Sequence, residues 1–362
     1  MISLTGISVS PEIVGTIGFS EDGTYAYFVA EAVLSGTETN GTGQKAEEGE
    51  NNLYVWHEGE PIRFVGQLAE IDEKAWNSSP EGLTARVAPD GRHLAFLSSE
   101  TKALAGYDNT VSAGEHCQPK PGENRDSFEG SPLCLEAFVY DAPAKALPCA
   151  SCNPSGARPI GPAQLPGWSN PFEGPRYLTD DGQRLYFESF DSLVLADTNA
   201  KRDVYQFEAA GKGTCTAATP GYSPKTGGCV SLISTAATDH SYFLDASSDG
   251  RDVFFATRQP LVGWDDNPNY DVYDAREGGG FPEPVAPAAP CEGEGCKAPG
   301  AAAPAAPAPS TNSFNGPGNQ KPKAKKKKKG KSKKHGKKKG KGKKQQGKKQ
   351  KQKAAKKGRA SR

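Results

Sequence analysis

SSDGRDVFFATRQPLVGWDDNPNYDVYDA, residues 247–275, is the stretch on which the reading of this chain turns. The same pattern stands 68 residues earlier, without a gap. Residues 181–205 and 249–273 agree at ten of 25 positions. Asp181-Gly182 falls on Asp249-Gly250, Phe187 on Phe255, Leu193-Val194 on Leu261-Val262, and Val204-Tyr205 on Val272-Tyr273. Asp197, Asn199 and Asp203 fall on Asp265, Asn267 and Asp271. Self-similarity at a fixed offset is the mark of a repeat architecture.

Two weaker copies open at Asp22-Gly23 and Asp90-Gly91. In all four copies a phenylalanine stands six residues after the Asp: Phe28, Phe96, Phe187 and Phe255. Ala26, Leu94, Leu185 or Val253 stands at the fourth position, and Tyr27, Ala95, Tyr186 or Phe254 at the fifth. Side chains alternate along a strand with period two, so both faces of this strand are apolar. Such a strand belongs inside a stack of sheets. The Asp-Gly before it is turn chemistry, with Gly free to take positive φ. Each unit reads as turn, buried strand, polar loop and a second strand ending in a pair such as Val-Tyr, then a hairpin and a further strand. Residues 52–66 hold one hairpin around Glu58-Gly59, and residues 271–285 another with a Gly-rich reversal. Short strands and aromatic periodicity, with no helical stretch in residues 17–285, predict an all-β protein of radially repeated sheets.

The frame S-x-D-G, an aromatic strand, then L-V-x-x-D-x-N-x-x-x-D-V-Y (Leu193 to Tyr205, Leu261 to Tyr273) resembles the WD40-like, PD40-like β-propeller repeats of the TolB type. The resemblance covers residues 17–285 and implies a β-propeller with four recognisable blades, starting near residues 17, 85, 176 and 244. It implies no particular activity, since such propellers serve many tasks.

Charge divides the chain. Residues 321–362 carry 24 of the 44 Lys and Arg and no acid, so the rest sets 20 basic against 43 acidic residues. The net charge of +1 is the sum of an acidic body and a basic tail. Residues 1–285 are expected to form the propeller domain. Residues 286–320, rich in Ala, Pro and Gly, read as a linker. Residues 321–362 lack the apolar side chains for a core and are predicted to be disordered. Residues 1–16 lack the basic start and apolar centre of a signal peptide, and no run of about 18 apolar residues marks a membrane span. Four blades are at the low end of propeller sizes. The expectation is therefore a downstream part of a longer secreted chain. The alternatives are an intracellular protein, or an outer strand from residues 1–16 that closes the ring. Residues 36–51 and 105–135 read as loops projecting from the scaffold, with a similar excursion at 208–229.

The eight cysteines fall in local couples: Cys117 with Cys134, Cys149 with Cys152, Cys215 with Cys229, and Cys291 with Cys296. An even count placed to close loops suggests four disulfides and an oxidising, extracellular or envelope compartment, with other couplings open. Cys149-Ala-Ser-Cys152 sits between Pro148 and Asn153-Pro154, which favours a turn disulfide over a redox motif. Asp197, Asn199, Asp203, Asp265, Asn267 and Asp271 offer clustered oxygens of the kind Ca²⁺ takes. The full calcium-loop frame is absent, and Phe138 stands where the second copy would place its last Asp. Turn-capping is therefore the leading reading of these six residues. No cofactor is otherwise implied.

No G-x-S-x-G elbow or H-E-x-x-H motif is present, so the expectation is a non-enzymatic module. His57, His93, His116 and His240 show no ligand spacing. Tyr25, Tyr27, Phe28, Phe96, Tyr186, Phe187, Phe254 and Phe255 fit core positions. Trp56, Trp76, Trp168 and Trp264 are less constrained, with packing the default. The clearest functional feature is the tail. Lys325, Lys326, Lys327, Lys328, Lys329, Lys337, Lys338 and Lys339 form a dense cation that would bind polyanions by counterion release. Its candidate partners are anionic wall polymer, an acidic membrane surface and nucleic acid, and no aromatic residue is interleaved for base stacking. The reading is an envelope scaffold whose loops bind a protein or glycan. The alternatives are a nucleic-acid-associated protein acting through the tail and a calcium-dependent propeller enzyme.

Overall fold

The Asp-Gly turns are where the strands are built. The computed structural model describes residues 11–77, 83–112, 117, 133–165, 174–235, 238–263 and 265–280. These lie in one unit, residues 1–286. Residues 281–362, with the linker and the lysine tail, are outside the described residues.

Four antiparallel sheets follow one another along the chain. The first is β1 (Ile13–Phe19), β2 (Tyr25–Ala30), β3 (Asn51–His57) and β4 (Arg63–Leu68). The second is β5 (Ala85–Val87), β6 (His93–Ser98) and β7 (Glu136–Asp141), with bridges from Cys149 and Ala146 along its outer edge. The third joins β8 (Arg184–Ser189), β9 (Asp203–Ala209), β10 (Tyr222–Ser223) and β11 (Gly228–Leu232), with Leu178 bridged on the β8 side. The fourth is β12 (Ser241–Ala246), β13 (Asp252–Thr257) and β14 (Asp271–Arg276). Successive antiparallel sheets of three to four strands, in chain order except that β11 lies between β9 and β10, are propeller blades. Among the described residues no strand pairing joins the fourth blade to the first, and no closed ring forms. β1, which takes in Ile13–Thr16, pairs with β2 of its own blade.

The repeat strand is the second of each blade, and its phenylalanine meets the aromatic of the next strand. Phe28 stacks on Tyr54 at 5.7 Å, Phe96 on Phe138 at 5.5 Å and Phe187 on Tyr205 at 5.7 Å, and Phe255 meets Tyr273 at 5.9 Å. All four phenylalanines are buried. The alternation then sorts the blade faces. Positions four and six after the Asp look back at the preceding blade, and positions three and five look forward. Thus Tyr27, Val29 and Val55 of the first blade share a cluster with Leu94, Phe96 and Tyr140 of the second. Tyr186 and Val204 of the third blade share one with Phe243, Val253 and Phe255 of the fourth.

The structure departs from expectation at three points. A 3-10 turn (Glu70–Ala75) and a short helix, α1 (Thr101–Ala105), interrupt the strands. The helix opens the long second-blade loop, whose polar sequence gave no helical period. The excursion at 208–229 is no free loop: its far half is β10 and β11, and β11 is paired residue by residue with β9. Phe254, expected in the core, is exposed. Its strand is apolar on both faces, but only one face is covered.

Candidate binding site

In every blade the link from second to third strand lies at one rim, because antiparallel strands reverse there. These links are residues 31–50, 99–135, 190–202 and 258–270, of which 113–116, 118–132 and 264 lie outside the described residues. The third and fourth of them carry the L-V…D-x-N part of the frame and lead into its D-V-Y strand, and the structure shows what the frame does. The Tyr205 hydroxyl donates to the Asp191 carbonyl at 2.9 Å and to the Asp197 carboxylate, while Leu193 N–H donates to it at 3.5 Å. Tyr273 donates to Asp265 and accepts from Leu261 N–H at 3.3 Å. In the first blade Tyr54 donates to the Ala32 carbonyl at 2.8 Å and accepts from Leu34 N–H at 3.1 Å. In the second blade the register corrects the expectation: Phe138, paired with Phe96 as Tyr205 is with Phe187, holds the tyrosine's place and offers no hydroxyl, and it is Glu136 that stands where the frame has its last Asp. Asn109 takes over, its amide reaching the carbonyls of Ser99 and Cys134 at 2.7 Å each.

Five of the six frame residues, all but Asp271, thus accept hydrogen bonds that hold the loops. Asp197 and Asn199 accept backbone N–H groups two residues on, as do Asp265 and Asn267. Asp203 accepts from the Ser234 hydroxyl at 2.7 Å, and burial pushes its carboxyl up to about 6. Among the described residues no group of three or more His, Cys, Asp or Glu is arranged to hold a metal ion.

Three cysteine couples form disulfides: Cys117–Cys134, Cys149–Cys152 and Cys215–Cys229. The first ties down the second-blade rim loop, and the third closes the β9–β11 excursion. Among the described residues no helix follows Cys149–Cys152, and both cysteines are buried in the cluster shared by the first and second blades. Cys291 and Cys296 lie outside the described residues, as do the tail lysines, His116, Trp168 and Trp264. The remaining histidines are scattered. His57 stacks on Tyr25 at 4.1 Å. His93 is buried near Asp141, and burial holds its ring below the usual histidine range.

One set of side chains at the rim brings arginines and aromatic rings together. Arg202, just before β9, lays its guanidinium 5.1 Å from the Phe190 ring and 5.2 Å from that of Tyr242. It also pairs with Glu188 at 3.4 Å. Burial pushes the Glu188 carboxyl up to about 7 against the pull of Arg202 and the Phe243 N–H. Tyr242 meets Tyr270 edge-on at 5.8 Å, and Arg258 sits 4.5 Å from the Tyr270 ring. His240 closes the group, 5.9 Å from Phe190. Arg258 and Tyr270 are exposed. Arginine stacked on an aromatic ring can still donate in its own plane to an oxygen ligand, as Arg202 does to Glu188. Chemically, this is an alternating aromatic and guanidinium surface. Sequence reasoning singled out none of Arg202, Tyr242, Arg258 and Tyr270. The available signal was positional: Arg202 and Tyr270 occupy the same place in the repeat, directly before the last Asp of the frame.

Two clefts lie elsewhere. One of about 350 Å³ is lined by Tyr25, His57, Glu60, Arg63 and Arg92. One of about 530 Å³ includes Glu38, Asp141, Lys145, Lys212 and Lys225.

No family model matches the chain, and no curated protein matches it. Among solved structures it is similar to TolB from Acinetobacter baumannii, with 12% identity, 72% of this chain and 40% of that one covered, and a TM-score of 0.29. It is also similar to a putative TolB from Agrobacterium tumefaciens, with 11% identity, 71% and 64% covered, and a TM-score of 0.28. A third is the β-propeller domain of the Trilobed protease from Pyrococcus furiosus, with 11% identity, 74% and 55% covered, and a TM-score of 0.31. The chain spans less than two thirds of the length of each. The fold assignment rests on the sheet order and register given above.

Proposed function

We propose that this protein is a non-enzymatic propeller scaffold of an oxidising, envelope or extracellular compartment. Its rim binds a carboxylate-bearing glycan or protein segment, and its lysine tail holds it to an anionic polymer. The observation that carries the reading is the exposed Arg258–Tyr270 pair, joined through Tyr242 to Arg202. A ring face can stack on a sugar or an aromatic side chain while guanidinium donors take its carboxylate. The three disulfides support the compartment. The density of charge in residues 321–344 supports the tail role.

The two sites separate by deletion. The full chain is retained on anionic wall polymer with steep salt dependence, and a variant ending at residue 320 loses that retention. The shortened variant still binds polygalacturonate or polyglutamate through the rim, and R258A/Y270A weakens this about tenfold. Indifference of the shortened protein to R258A/Y270A would refute the rim reading. Selective retention on DNA over wall polymer would move the tail to the nucleic-acid alternative.

A further inference from the structure

The contact between blades is made three times within the chain, and its parts recur. The Asp-Gly turn of one blade is sealed by positions three and five of the blade before it. Tyr27 donates to the Gly91 carbonyl at 2.7 Å, and Tyr186 to the Gly250 carbonyl at 2.8 Å. A Cβ added at Gly91, Gly182 or Gly250 would come inside 3.0 Å of Tyr25, His93 or Tyr186 of the preceding blade. A backbone bond joins the same turns, from Glu21 N–H to the Pro89 carbonyl at 2.8 Å and from Asp180 N–H to the Ser248 carbonyl at 3.0 Å.

Two halves of this contact are left over, at opposite ends of the described chain. At the forward face of the fourth blade, Phe254 is 36% and Val272 63% exposed, whereas their repeat counterparts Tyr186 and Val204 are fully buried. At the backward face of the first blade, Phe19 is 54% and Ile13 48% exposed, whereas Leu178 and Ala246, at the position of Phe19, are buried. The added-Cβ site at Gly23 meets nothing within 4 Å, alone among the four Asp-Gly turns. Each leftover face therefore has the form that the other covers inside the chain.

We infer that two copies of this chain associate head to tail, the forward face of each fourth blade packing on the backward face of the other's first blade. Only a molecule carrying both halves covers both, and a second copy carries both. The association repeats the internal pattern: Phe254 lies over the Gly23 turn, Val272 faces Phe19, and Ser248 N–H points to the Glu21 carbonyl of the other copy. Such a contact is heterologous, and it closes a ring when the rotation between copies is half a turn.

The test is light scattering and sedimentation of the full oxidised chain over a range of concentrations. The expected species has twice the 38.2 kDa mass of the chain. F19D and V272D each alter an exposed side chain and leave the thermal unfolding of the single copy unchanged. Each weakens association about tenfold or more. Mixing the two variants restores association, because one of the two contacts in a mixed pair then carries neither substitution. Three results would overturn the inference: a wild-type monomer at all concentrations, a pair that F19D leaves intact (the mark of a face-to-itself contact), and a monomer whose Phe19 and Val272 are protected from radical footprinting by another part of its own chain.

Discussion

Replacing the glycine of each Asp-Gly turn by alanine isolates the blade-to-blade seal. Gly23, Gly91, Gly182 and Gly250 have nearly the same backbone, with φ of +74, +72, +66 and +70 degrees. Forcing a Cβ into the left-handed region costs about 1–2 kcal/mol at each. At Gly23 this is the whole cost, because the added atom meets nothing within 4 Å. At Gly91 the new atom strikes Cβ of Tyr25 and of Ser20, both carried by stiff first-blade backbone. Overpacking of this kind costs a further 1–3 kcal/mol or so. G91A therefore destabilises by about 2–5 kcal/mol, and G23A by about 1–2 kcal/mol. At Gly182 the obstacle is the ring of His93, and at Gly250 the Tyr186 hydroxyl, which ends a longer side chain. The expected order of loss is Gly91 and Gly182 above Gly250, with Gly23 least. Urea unfolding of the oxidised protein, followed by far-ultraviolet circular dichroism at dilution below any self-association, gives the four values at a common slope. Equal losses at Gly23 and Gly91 would refute the stacking of consecutive blades through their turns.

Further outcomes test the same architecture. Y27F costs about 1–1.5 kcal/mol, because it leaves the buried Gly91 carbonyl without its hydroxyl donor. Y186F costs less, because Arg184 also donates to the Gly250 carbonyl at 3.2 Å; urea midpoints decide. Burial raises the carboxyls of Asp72, Asp191 and Asp203 to about 6 and of Glu188 to about 7. Between the unfolded pKa of about 4 and these values the folded state holds more protons, so stability rises as pH falls from 8 to about 5. Asp22, lowered to about 2 by the Ser20 hydroxyl, works the other way, and its contribution is lost as pH falls below the usual carboxylate range. A melting temperature that climbs steadily from pH 5 to 8 would contradict this. Removing Cys215–Cys229 by paired serine substitution, a closure over a separation of 14 residues, costs about 3 kcal/mol in the chain-entropy model; non-reducing peptide mapping should find the intact bridge in the parent. Chelator leaves the melting temperature unchanged if the frame acts as turn chemistry, and a drop would restore the calcium alternative.

The period of the phenylalanines and the Asp-Gly turns were enough to place the buried strands, and the count of blades followed from four copies of one pattern. That works because strand alternation and turn geometry are local: the residues that decide them lie within about six positions of one another. The backbone bonds of Asp197, Asn199, Asp265 and Asn267 are local in the same way, each reaching two residues on. What the frame holds in place was not legible in the sequence. Tyr205 reaches Asp191 and Asp197 only because the loop folds back on its own strand, and Asn109 stands in for a tyrosine that the second blade lacks. The Arg202–Tyr242–Tyr270–Arg258 surface joins residues from two blades, and no spacing along the chain encodes that meeting. Phe254 and Val272 match their buried counterparts in chemistry and differ only in what lies across from them. Whether an apolar strand face is core or surface depends on the next blade in space, and only the tertiary structure supplies that neighbour.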